Sequence, residues 1–149
     1  VCKLCVRRRM LMGMDVVGNA PSGPKGEYFR ASVWSWHPIV AVMEDTCSDF
    51  MPESFFEDIS VNCGFGADAK QSKKIAARIV QYLEHNVDGK TLSKADTSPI
   101  GTAMQKLIDQ VEKAAGRKPV EPPILFGVSD EMLSEFADFL QSCGGFSVH

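Results

Sequence analysis

The sequence predicts an α+β domain, with three or four helices packed on a small, mainly antiparallel β-sheet. Three observations carry that expectation. Short strand-like runs bounded by glycine stand near both ends of the chain, at Met14 to Gly18 and at Phe146 to Val148. Between them, three segments repeat apolar residues at helical spacing behind capping residues. An aromatic stretch, Gly26 to Pro38, holds both tryptophans, one of two tyrosines and one of three histidines, and belongs between the layers.

Met14 to Gly18 reads as a first strand, closed by a turn region from Asn19 to Gly26 that holds two prolines and two glycines. Gly18 and Gly23 have the glycine spacing of a phosphate loop, but Pro24-Lys25 replaces Lys-Ser/Thr and no helix follows. Asp15 is a charge inside an apolar strand; pointing inward it needs a cation, and Lys25 and Arg30 are the nearest that follow it. Ser48 to Ile59 mixes acids and phenylalanines without a period, which predicts a loop with one helical turn at Glu53 to Glu57.

Asp68 and Gln71 form a capping box for the clearest helix. Ile75, Ala76, Ile79, Val80 and Leu83 share one face of it, away from Lys70, Lys73, Lys74 and Arg78. Asn86 to Gly89 ends it and Lys90 to Ser98 is a polar connector. Ser98-Pro99 opens a further helix, with a stripe of Ile100, Met104, Leu107, Ile108, Val111 and Ala115, and Gly116 stops it. Ile124 to Val128 suits a short strand. Ser129 caps the last helix, whose apolar face is Met132, Leu133, Phe136, Phe139, Leu140 and Cys143. Gly144-Gly145 closes it, and Phe146 to Val148 returns as a strand beside the first.

The aromatic stretch has two roles open to it. If Val33 to Trp36 is extended, Trp34 and Trp36 share a face, because side chains alternate with period two. Two indoles on one face fill a core, and that is the commoner use. They also line a pocket, with Asp15, Tyr28, Arg30 and His37 as its polar groups. After His37, the residues themselves allow either a helix with Pro38 at its first position or a buried strand.

Three pieces of the chain resemble a family of small bacterial and phage proteins of uncharacterised function. They are Gly13-Met14-Asp15-Val16-Val17-Gly18 with Lys25 to Arg30, Val33-Trp34, Trp36 and Pro38-Ile39; Asn62 to Ala69; and Phe136 to Phe146. The resemblance favours the helix after His37, with His37 as its cap and Ile39, Val40, Met43 and Cys47 on its inner face. It implies a phage or mobile-element association and no known activity. Members often have asparagines at the places of Ala31 and Ser32, tryptophan at Ser35 and arginine at His37. Many carry a paired-cysteine insertion where this chain has the cysteine-free stretch Lys90 to Pro123.

At 149 residues the chain fits one domain that needs no disulfides to hold its core. Residues 1 to 11, with Lys3, Arg7, Arg8 and Arg9 and no acid, differ from the rest and read as an extension before a natural start at Met12 or Met14. Residues 12 to 149 form the α+β domain. Without the extension, 12 basic residues face 19 acidic ones, which disfavours nucleic acid as a partner. No apolar run is long enough to span a membrane, and no secretory h-region follows the arginines. The cytoplasm and reduced thiols are the expectation, five cysteines being an odd count. Cys2 and Cys5 have the gap that lets two thiolates meet one zinc, but they are half a site.

Gly64 and Gly66 ahead of the Asp68 helix, with Lys70, form a weak anion-site candidate; Asp68 already takes the anion position as a cap. No cofactor motif, nucleophile elbow or metalloprotease motif is present. Cys63 with His37 and Cys143 with His149 are distant pairings to be checked in three dimensions. The residues therefore favour a small cytoplasmic accessory protein that binds another protein over an enzyme. The alternative is a small-ligand site, for an anion or nucleotide, built from Tyr28, Arg30, Trp34, Trp36 and His37.

Overall fold

The computed structural model describes residues 13–86, 90–92, 106–107, 109–111, 113–116 and 127–149. It is an α+β fold, as the sequence predicts. Strand β1 (Gly13–Gly18) is followed by a short 3-10 turn (Pro24–Gly26), β2 (Tyr28–Ser32), α1 (Val33–Cys47) and α2 (Glu53–Ile59). Then come β3 (Gly66–Asp68), α3 (Ala69–His85), β4 (Lys90–Leu92), β5 (Gly127–Ser129), α4 (Asp130–Ser142) and β6 (Gly145–Val148). The main sheet is antiparallel throughout, in the order β2-β1-β6-β3, and β4 and β5 form a separate pair. No helix among the described residues is long and apolar enough to cross a membrane.

Period-two alternation divides the sheet into two faces. Met14, Val16, Phe29, Ala31, Ala67, Phe146 and Val148 are buried on the inner face, beneath the helices. The centre of the core is a ring cluster around Phe136, whose neighbours are Phe29 at 5.0 Å, Trp36 at 5.7 Å, Phe139 at 6.1 Å and Phe146 at 6.4 Å between centroids. Trp36 is fully buried and its indole N–H donates to the Ile59 carbonyl at 2.8 Å. That bond ties α1 to the end of α2.

Helix α1 starts five residues before the expected Pro38. The Ser32 hydroxyl accepts the Ser35 N–H at 3.1 Å and caps it, leaving Pro38 inside the helix and His37 in the helix rather than at its cap. Pro38 removes the N–H that would reach the Trp34 carbonyl. The Ser32 cap and the burial of Trp36 outweigh that loss. Because Val33 to Trp36 is helical, Trp34 and Trp36 do not share a face; Trp36 is buried and Trp34 half-buried.

Helix α2 runs two turns rather than one, because Phe55, Phe56 and Ile59 all reach the core. The capping box of α3 is present in full, and Ile75, Ala76 and Ile79 are buried. Val80, placed by spacing on that face, is exposed. Of the four cations, Lys70 and Lys73 are solvated, whereas Lys74 lies over the Phe50 ring at 4.0 Å and Arg78 pairs with Asp49 at 2.7 Å. Those two contacts fasten α3 to the α1–α2 connection. The polar connector contains strand β4, and β5 begins at Gly127 within the Ile124 to Val128 stretch that suited a strand. Of the Ser98 helix, residues 106–107, 109–111 and 113–114 are helical, and its beginning lies outside the described residues.

Candidate functional site

Among the described residues no helix covers the outer face of the main sheet, and its side chains form two rows across the strands. Asp15 lies opposite Arg30 on β2 and exchanges both backbone hydrogen bonds with His149, at 3.0 and 2.7 Å. Val17 lies opposite Tyr28 on one side and Ser147 on the other, and Ser147 faces Gly66. The rows therefore read Arg30, Asp15, His149 and Tyr28, Val17, Ser147. Gly66 ends the second row without a side chain.

The Asp15 carboxylate is the hub. One of its oxygens accepts the Tyr28 hydroxyl and lies 3.6 Å from Arg30 Nε. Asp15 thus points outward and meets Arg30; Lys25 instead bonds Asp138 on α4 at 2.8 Å. Beside the hub, the Ser147 hydroxyl lies 3.0 Å from His149 Nε2 and 3.4 Å from Asn19 Oδ1. Exposed apolar surface flanks these groups, with Tyr28 50% accessible and Val17 38%.

The Asp15 carboxylate, by accepting the hydroxyl proton, holds the Tyr28 phenol above its ordinary pKa. An acid whose pKa is raised on folding contributes stability that is present below its unfolded value of about 10 and is lost as pH rises through the raised value. Absorbance titration of the phenolates is expected to show Tyr28 ionising later than a free tyrosine. Asp15→Asn should move that step down. An unmoved step would remove the carboxylate as its cause.

The Arg30 side chain is 63% exposed and that of Asp15 32%, so their ion pair adds no more than about 1 kcal/mol. Arg30→Ala should therefore leave the urea midpoint almost unchanged. A loss of several kcal/mol would show Arg30 to be structural.

Of the six residues proposed for one site, the structure brings Asp15, Tyr28 and Arg30 together on this face. Trp36 is core, and Trp34 and His37 belong to α1. The aromatic pair on one wall depended on an extended Val33 to Trp36, and the Ser32 cap replaces that extension with helix.

The Gly64, Gly66 and Lys70 candidate has a structural explanation. A Cβ on Gly66 would overlap the Phe146 carbonyl across the β3–β6 ladder, so the glycine serves close strand approach. Asp68 accepts the Gln71 N–H at 2.8 Å and occupies the helix start, and Lys70 is exposed. Neither cysteine pairing supplies a nucleophile: Cys143 is buried and Cys63 is disulfide-bonded. The disulfide corrects the expectation that every thiol is reduced, and the thiol argument for a reducing compartment lapses with it. Bridging depends on approach in space, which an odd count does not report. Cys2 and Cys5 lie outside the described residues, among which no group of three His, Cys, Asp or Glu is placed to hold a metal.

Ser147, His149, Val17 and Asn19 escaped the sequence reading of the face. The signal was present: once Phe146 to Val148 is a strand with Phe146 and Val148 inward, Ser147 and His149 must point outward. A cavity of about 370 Å³ lies elsewhere, between α1 and α3, and is lined by Asp45, Thr46, Arg78, Gln81, Tyr82, His85 and Asn86. Arg78 there is already paired with Asp49. Comparison with protein-family models, curated proteins and solved structures found no match.

Proposed function

We propose that the chain is a small interaction protein, an accessory of phage or mobile-element type, that binds another protein through the open face of its main sheet. The observation that carries this is the exposure of Val17 and Tyr28 beside the Asp15–Arg30 pair. A rigid sheet holds these side chains at fixed spacing, so ordering them on binding costs little entropy. Tyrosine and arginine also dominate the energetically important centres of protein interfaces. An open sheet face suits a protein surface better than a small molecule, since small ligands are held in concave sites that bury most of their area. A small-ligand site retains Tyr28 and Arg30 but loses Trp36 to the core.

The test is photocrosslinking from the face and from a control position. A photoreactive residue at Val17 is expected to capture a partner in native lysate, whereas one at Lys73, on the solvated side of α3, should not. Equal capture at both positions, or none at Val17, overturns the proposal.

A further inference from the structure

Strand β2 is an edge of the main sheet, and its backbone is half used. Asp15 directs its N–H and C=O to His149, so its neighbours Met14 and Val16 direct theirs to β2, where they meet Ala31 and Phe29. The Gly18 N–H bonded to the Glu27 carbonyl at 3.0 Å keeps the same alternation. It follows that the N–H and C=O groups of Tyr28 and Arg30 point away from the sheet, and among the described residues they have no partner. β2 has no proline and no bulge, and its register with β1 is unbroken.

We propose that β2 is a self-pairing edge, through which two copies of this chain join their four-stranded sheets into one antiparallel sheet of eight strands. The occupant is a second copy because the edge complements itself in a single register. An antiparallel pairing centred on Phe29 sets Tyr28 against the partner's Arg30 and Arg30 against the partner's Tyr28. It employs every free backbone group of both residues. It also lays each guanidinium beside a tyrosine ring on the outer face, an attractive pair. Centring on Arg30 would oppose two like charges, which is destabilising. Centring on Tyr28 would bring Arg30 against Gly26, whose N–H is already bonded to the Gly23 carbonyl. The two-fold symmetry of the favoured register closes the assembly at two copies. This concerns the sheet's edge and goes beyond the partner face: a monomeric protein overturns it and leaves the Val17 crosslinking result unaffected.

Sedimentation of the full chain over a range of concentrations is expected to show the 16.3 kDa monomer giving way to a species of twice that mass. Arg30→Pro removes an edge N–H that β1 does not use, and should weaken the dimer at least tenfold with the far-UV spectrum unchanged. A protein that stays monomeric at every concentration, or a dimer that survives in folded Arg30→Pro, overturns the proposal. If Arg30→Pro does not fold, cysteine trapping decides. Directly opposed residues in this register stand about 5.5 Å apart at Cα, within disulfide reach. Mixed Tyr28→Cys and Arg30→Cys proteins should therefore form a covalent dimer faster than either alone. Equal rates overturn the register and the proposal with it.

Discussion

Trp36→Ala is expected to destabilise the protein by about 3–5 kcal/mol, because it empties a fully buried site and leaves the Ile59 carbonyl without its donor. The edge of the indole also faces Phe136, with ring planes at 84°, so the loss reaches the centre of the aromatic cluster. Trp36→Phe separates the two effects. It keeps most of the ring contact and removes the N–H, and should cost about 1–3 kcal/mol. Urea unfolding followed by far-UV circular dichroism reads both values. A Trp36→Ala protein within about 1 kcal/mol of the parent would mean that Trp36 is not core.

Much of the architecture was legible because its signals are local. The capping box of Asp68 and Gln71, Ser129 before the last helix, and the glycines after it each mark an end through one or two residues. The pairing of the last strand with the first followed from two short strand-like runs in a chain with few other strands. What escaped was set by tertiary contact. Pro38 signals a helix start, yet Ser32 starts the helix earlier and Trp36 is carried inward to Phe136. The strand Gly66–Asp68 is too short to show a period, and only its contact with Ser147, Phe146 and Gly145 defines it. Asp15, Tyr28 and Arg30 were legible as a group by charge and aromatic character, whereas their wall was not. Ser147 and His149 come from the opposite end of the chain and become neighbours of Asp15 only through the β1–β6 register.

Gly144→Ala is expected to cost about 2–5 kcal/mol, from two separable causes. Gly144 joins α4 to β6 with φ at +62°, where a side chain costs about 1–2 kcal/mol. An added Cβ would also overlap the Ala20 carbonyl. Ala20 has little room to withdraw, since residues 19–22 are bonded to this turn. The Asn19, Ala20 and Ser22 N–H groups donate to the carbonyls of Gly145, Cys143 and Ser142 at 2.8, 3.0 and 2.8 Å. Gly116 supplies the control: its φ is +71° with nothing near its missing Cβ. Gly116→Ala therefore carries the backbone strain alone, about 1–2 kcal/mol. The difference between the two variants in urea unfolding measures how firmly the loop after β1 clamps the last turn. Because that clamp fixes where β6 meets β1, a large difference would mean that it also sets the position of Ser147 and His149 beside Asp15 on the outer face. Equal costs would show the clamp to be slack, with the strand ladder alone holding the face together.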